Sequence, residues 1–193
     1  MPYRELATPE ALPAAWPGVD RLRIAATARA DHRSQEAAKP REHDSGKKQP
    51  TWQNTVMALP DTWMIFLGRP CSGHNHDSFI LQQELPPELD WFADLHVRVD
   101  LGDLGIQSDD RGEQIALPTR KPRKSHKPPN PQWSEEPKAA NTALSRVRIF
   151  IEQAIGGRKR SNILVHTFRN RLEHFEDDVI GICAGLWNLV LSY

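Results

Sequence analysis

Two acidic residues occupy positions from which a carboxylate could reach a divalent cation. Asp100 directly follows residues 97–99, which alternate as a strand does, and two glycines come soon after it. A strand end is a rigid place from which to aim a side chain. Glu152 belongs to a segment with helical spacing, and at about 100° per residue it falls at the edge of the apolar stripe. Such a pair of carboxylates suits Mg²⁺ or Mn²⁺, because these ions prefer oxygen ligands.

Each of these residues also has a purely structural interpretation. Asp100 could cap a turn, and Glu152 could pair with Arg148 one helical turn earlier. A further group of metal-ligating types lies at residues 71–77, but the chain has no second ligand pair at zinc spacing. Neither a GxxxxGK[ST] phosphate loop nor a G-x-S-x-G nucleophile motif is present, so the sequence offers no support for those chemistries.

The charge of the chain is balanced overall and divided along its length. Lys plus Arg and Asp plus Glu each number 25, yet residues 1–117 hold 12 basic and 18 acidic side chains. Residues 118–137 form a proline-rich loop, and five of its cations fall within residues 120–127: Arg120, Lys121, Arg123, Lys124 and Lys127. An extended basic loop can follow a phosphate backbone, and a solvated linker is the alternative interpretation.

The elements that must position these residues can be outlined from apolar patterns. Residues 21–24 start a first strand, and residues 55–59 and 63–67 predict a hairpin around Pro60-Asp61. Further strands are expected at 97–101 and 115–117, and helices at 77–83, 138–156 and 177–191. We expect Gly156-Gly157 to end the long helix, and the last helix, apolar nearly all round, to be buried in the core.

Strands come first and helices last, which predicts an α/β domain over residues 21–193 with helices against a mixed sheet. Residues 1–20 contain four prolines and few periodic apolar positions, so we expect a poorly ordered arm. Cys71 and Cys183 make no disulfide framework, and no segment has the length of a membrane span. The sequence therefore favours a reducing, cytoplasmic environment.

An ordered series of motifs across residues 21–193 resembles the catalytic domain of DDE-type insertion-sequence transposases, in the DDE superfamily endonuclease group. The motifs lie at residues 45–48, 73–77, 99–107, 118–124, 143–157, 167–171 and 184–189. The resemblance implies an RNase H-like fold. It also implies cleavage and strand transfer in DNA transposition and recombination, in which two Asp and one Glu hold two divalent cations.

Carried over by position, the resemblance makes Asp100 the second catalytic and metal-binding Asp and Glu152 the Glu. It gives Asp77 a supporting role at the metal at most. The cations of the basic loop, with Arg158, Lys159 and Arg160, would face DNA. The implied partners are transposon ends, target DNA and further copies of the chain, in a bacterial cytoplasm and at the nucleoid when the chain is bound to DNA.

The first Asp is missing from this pattern. The family's first strand ends in a stretch like Ile-Asp-Ala-Thr-Glu-Arg, whereas this chain reads Ile-Ala-Ala-Thr-Ala-Arg over residues 24–29. Ala25 stands where the first metal-binding Asp is expected, and Ala28 where the nearby Glu is expected. Removing one of three carboxylates should lower two-metal catalysis by orders of magnitude.

Three interpretations of the function remain open. The chain can be an active DDE endonuclease domain, a catalytically dead relic that keeps the fold, or a domesticated module that binds DNA or a partner. Ala25 favours the relic over the active enzyme. The helix-turn-helix half expected of a full transposase is not found in residues 1–20, which are too short to hold one.

Overall fold

A computed structural model describes residues 1–30, 51–92, 94–99, 115–116, 119, 135–167, 170, 172 and 174–193. For positions 115, 116, 147 and 148 it describes the backbone alone. The strands are β1 (Arg21–Ala30), β2 (Thr51–Ala58), β3 (Met64–Leu67), β4 (Cys71–Ser72), β5 (His96–Val99) and β6 (Ile115–Ala116). The helices are α1 (Ala11–Ala15), α2 (Asp77–Glu84), α3 (Glu135–Arg158) and α4 (Phe175–Leu191), with a 3₁₀ turn at Asn162–Leu164.

The described strands form one mixed sheet in the order β3-β2-β1-β5-β6, with β4 paired to β2. β1 is antiparallel to β2 and parallel to β5, and β5 is parallel to β6. The predicted hairpin is confirmed as β2 and β3, since Pro60 and Asp61 stand in the turn where a strand cannot continue. The predicted short helix is confirmed as α2.

Helices cover both faces of the sheet because the central strands are apolar on both sides. Ile24 of β1 belongs to a core that also holds Leu12 of α1 and Leu81 of α2. Ala25, the next residue, belongs to a second core with Ala154 of α3 and Ile180 of α4. Successive residues of a strand point to opposite faces, so β1 divides an α1/α2 side from an α3/α4 side.

The expectation of a poorly ordered arm at residues 1–20 disagrees with the structure. The backbone of Tyr3 exchanges hydrogen bonds with Ile65 and Leu67 and so extends the sheet beyond β3. Leu12 is 1% exposed within the α1/α2-side core, and Arg4 pairs with Asp177 of α4. The prolines exclude long regular elements here, but isolated apolar side chains still pack, and these carry no periodic signal.

The long helix does not end at its glycine pair as expected. α3 runs through Gly156 and Gly157 to Arg158. The ring of Trp187, on α4, occupies the space that a Cβ at Gly157 would need. Gly157 therefore allows close packing of α4 against α3, and the helix continues because helical backbone is open to glycine at a modest cost.

The last helix is only half buried, which corrects the expectation of a core helix. One face packs through Val179, Ile180, Cys183 and Ala184. The opposite face and Tyr193, which follows the helix, form what we call the α4 stripe. About half or more of each of its side chains is exposed: Ile182, Leu186, Leu189, Val190 and Tyr193. A helix that is apolar all round gives no periodic signal from which the buried face could be chosen.

The described helices include none with the length and apolar character needed to cross a membrane.

Candidate active site

One face of β1 carries alternate side chains that all point towards α3 and α4. Arg23 lies 4.8 Å from the centre of the Phe150 ring of α3. Ala25 is 6% exposed in the core on that side. Thr27 accepts a hydrogen bond from Arg158 at 2.9 Å. The position expected for the first metal-binding Asp therefore faces the two helices, between two arginine contacts.

These contacts also fix how α3 runs along β1. From Arg23 to Thr27 the strand advances about 13 Å, and from Phe150 to Arg158 the helix advances about 12 Å. The two elements therefore run side by side in the same direction. Glu152 lies about 3 Å beyond Phe150 along the helix axis, and Ala25 lies about 6.6 Å beyond Arg23 along the strand, so Glu152 falls between the levels of Arg23 and Ala25.

Glu152 itself is exposed, while Ile151 and Ala154 on either side of it are buried against the sheet. This agrees with its predicted position at the edge of the apolar stripe. Asp100 lies outside the described residues. The residue before it in the sequence, Val99, is the in-register partner of Ile24 on β1.

The donor set for a divalent cation is incomplete among the described residues. They contain no group of three or more His, Cys, Asp or Glu side chains that could hold a metal ion. The resemblance implies a carboxylate ligand at position 25, where the side chain is a methyl group. Of the two other carboxylates that the resemblance implies, Glu152 is described and Asp100 lies outside the described residues.

Asp77, the third expected metal ligand, is not brought to Glu152. It is the first residue of α2 and is partly exposed. α2 packs through Leu81 on the α1/α2 side of the sheet, whereas α3 packs through Ile151 on the other side. The sheet separates the two helices, so a shared ion between Asp77 and Glu152 does not follow from this arrangement.

The cations expected to face DNA occupy different environments. Arg158 is fully buried, and its Nε and Nη1 have no hydrogen-bond partner. Burial, with the nearby charge of Arg29, lowers the pKa of Arg158 to about 9. Lys159 is partly exposed, and Arg160 is exposed with its guanidinium 5.4 Å from the Trp187 ring. The expectation that Arg158 faces DNA is therefore not met, because the residue continues the buried stripe of α3.

Residues 120–134 of the basic loop, with Arg120, Lys121, Arg123, Lys124 and Lys127, lie outside the described residues, and residues 135–137, predicted to belong to the loop, begin α3. Thr119, the residue directly before position 120, is hydrogen-bonded to α3. The Asn141 side chain of α3 accepts a hydrogen bond from the Thr119 backbone N–H at 2.9 Å and donates one to its carbonyl at 2.8 Å. Asn141 and Glu152 are about 20° apart around the helix and about 16 Å apart along it, so the loop starts on the side of α3 that carries Glu152.

Sequence reasoning missed a group of basic residues beside this site. β1 and β5 pair in parallel, and Arg23 stands directly opposite Arg98 in that pairing. Single arginines in alternating strands are unremarkable in a sequence, and the strand pairing that sets them side by side is a long-range feature. To recognise this group from the sequence, one would have to know the register in which β1 pairs with β5.

The chain matches the family model for the DDE superfamily endonuclease over residues 32–188. With the mixed sheet and its flanking helices, this match confirms the predicted RNase H-like fold. The matched region starts after Ala25, so the alignment of that residue with the family's first Asp rests on the motif alone. Comparisons with curated proteins and with solved structures found no match.

Proposed function

Because the chain belongs to the DDE superfamily endonuclease family, we propose that it is a transposase-derived DNA endonuclease domain whose divalent-metal-dependent activity is impaired. Nucleases of this superfamily use divalent metals and act on DNA. In this proposal Asp100 and Glu152 hold the cation, and the lost carboxylate at position 25 limits catalysis.

The observation that carries the proposal is the placement of position 25. Ala25 faces α3 on a central strand, in the same core as Ile151 and Ala154, the buried neighbours of Glu152. A bound divalent cation would stabilise the charge that develops on a phosphodiester under attack. The chain's own contribution would be to hold the two remaining carboxylates on rigid elements.

We propose that exposed cations near α3 contact DNA. Arg160 is exposed two residues after the end of α3, and Asn141 anchors Thr119 near the start of the basic loop. Cations that neutralise phosphates bind DNA by releasing its counterions, without reading its sequence. A cytoplasmic location, at the nucleoid when bound to DNA, remains a prediction.

A nicking assay on supercoiled plasmid DNA tests the proposal. We expect Mg²⁺-dependent nicking close to background for the unmodified chain and clearly faster nicking for Ala25→Asp. Adding Glu152→Gln to Ala25→Asp should abolish the gain. Glu136→Gln, an exposed carboxylate near the start of α3, is the matched control and should leave nicking unchanged.

Two results would contradict different parts of the proposal. Strong Mg²⁺-dependent nicking by the unmodified chain, lost in Glu152→Gln, would show that Ala25 does not impair the enzyme. No Mg²⁺-dependent nicking by Ala25→Asp would remove Ala25 as the limiting defect. The second outcome favours the alternative function, a module that retains the fold for binding.

Self-association of the chain is supported by the α4 stripe. Its exposed side chains would bury roughly 500 Å² per copy, and about 1,000 Å² in a pair, which reaches the lower bound for a specific interface. Isologous antiparallel pairing would place Leu186 of one copy near Leu189 of the other.

Sedimentation analysis should show a dimer that Leu186→Lys with Leu189→Lys dissociates, whereas Phe79→Lys on the other side of the sheet should have no effect. An unmodified chain that stays monomeric at all concentrations would contradict this interface.

A further inference from the structure

Basic side chains occupy four adjoining positions on two neighbouring strands. The parallel pairing of β1 and β5 sets Arg21 opposite His96 and Arg23 opposite Arg98. Residues two apart on a strand share a face, and Arg23 contacts Phe150 of α3. All four side chains therefore stand on the α3/α4 side of the sheet. We call these four residues the basic block.

The basic block is electrostatically unfavourable for the fold. Neighbouring strands lie about 4.8 Å apart, and like charges directly opposite each other destabilise a sheet. Arg23 is 9% exposed, and its Nε has no hydrogen-bond partner, although its Nη1 donates to the Leu59 carbonyl at 3.1 Å. Burial lowers the pKa of Arg23, the charges of Arg98 and Arg21 lower it further, and Asp61 opposes them.

The remaining members of the basic block are accessible to a ligand. Arg98 and His96 are exposed, and the side chain of Arg21 is 68% exposed with Asp20 3.5 Å away. An exposed ion pair of this kind contributes little to stability. Two accessible guanidiniums and an imidazole thus adjoin the buried guanidinium of Arg23, and an anion bound there would relieve the repulsion among the three arginines.

The position of the basic block relates it to the candidate active site. Arg23 precedes Ala25 by two strand residues, about 6.6 Å, on the same face of β1. Arg98 precedes Asp100 by two residues in the sequence. Each strand of duplex DNA carries one phosphate per about 3.4 Å of its axis. A DNA strand whose reacting phosphate lay at the expected metal site, and whose backbone ran along β1, would carry neighbouring phosphates past the basic block.

We propose that the basic block is a binding subsite for the DNA backbone, in which Arg21, Arg98 and His96 contact phosphates beside the reacting one. This inference rests on the proposed function, because it assumes that DNA reaches the β1–α3 face. It assigns the subsite a positioning role, with no part in the chemical step. It requires no metal ion, so it can be tested separately from catalysis.

The test measures the affinity of the full chain for a fluorescently labelled duplex, by anisotropy, as a function of salt concentration without divalent ions. Each lost phosphate contact reduces the slope of log K against log salt by about 0.9. We expect this reduction in Arg98→Ala and in Arg21→Ala, and about twice as much in the double variant. Arg69→Ala is the matched control, since Arg69 is 72% exposed, pairs with Glu5 and follows β3 at the opposite edge of the sheet.

A stability measurement separates this role from a structural one. Both substituted arginines are exposed, so the variants should fold, and relief of like-charge repulsion should leave Arg98→Ala at least as stable as the unmodified chain. Weaker DNA binding with unchanged or higher stability supports the subsite. Salt slopes equal to that of the unmodified chain would overturn it while leaving the proposed function standing. No salt-dependent DNA binding by the unmodified chain would overturn both.

Discussion

Replacing the buried Arg158 by methionine should stabilise the protein. The pKa of Arg158 falls from 12.5 to about 9 through burial and the proximity of Arg29. At about 1.36 kcal/mol per unit, this shift disfavours the charged guanidinium by about 5 kcal/mol. Losing its hydrogen bond to Thr27 costs about 1.5–3 kcal/mol. Arg158→Met should therefore raise the free energy of unfolding by about 2–3.5 kcal/mol, within the range for apolar replacement of buried charges.

Urea unfolding at neutral pH, followed by circular dichroism, measures this change. Arg158→Ala should be less stable than Arg158→Met by about 2–5 kcal/mol, because it also removes packed methylene groups. Arg160→Met is the exposed control and should lose at most the cation–π contact with Trp187, about 0.5–1 kcal/mol. If Arg158→Met lowers the free energy of unfolding by more than about 1 kcal/mol, then the protein compensates the buried charge of Arg158. This result would contradict the predicted stabilisation.

Two further predictions concern buried polar groups elsewhere in the fold. Burial raises the pKa of Glu84 from 4.5 to about 7, so the unfolded chain binds fewer protons than the folded one between these values. The free energy of unfolding should fall by up to about 3 kcal/mol as the pH rises through this window. In Glu84→Gln the urea midpoint should depend much less on pH over this range. An equally steep dependence on pH in the variant would contradict the assignment to Glu84. Asn188 accepts a hydrogen bond from the Met64 backbone N–H at 2.9 Å and donates to its carbonyl at 2.7 Å, so Asn188→Ala should cost about 2–4 kcal/mol. A loss below about 1 kcal/mol in chemical denaturation would show that water satisfies the Met64 groups.

The sequence predicted elements with a clear local signal. Alternation marked β5, and Pro60-Asp61 marked the hairpin, because each depends on residues close together in the chain. Leu12 was missed because a single apolar residue among prolines has no period, although it is buried in the core.

The candidate site was less predictable because its features depend on packing. Arg158 continues the spacing of Ile151 and Ala154, so its burial could have been inferred from the helical stripe, but charge suggested an exposed role. The basic block requires the register of β1 against β5, which no local pattern contains. Glu152 was placed correctly at the margin of the stripe because its angular position follows from helix geometry alone.

A Mn²⁺ titration followed by electron paramagnetic resonance tests whether Ala25 stands at the position of a missing cation ligand. The unmodified chain should bind Mn²⁺ weakly, and Ala25→Asp should tighten binding by about tenfold or more, because affinity rises with the number of charged ligands. Glu152→Gln should reverse the gain, while Glu136→Gln should not. Equal Mn²⁺ affinity in the unmodified chain and Ala25→Asp, with both variants folded, would contradict the account.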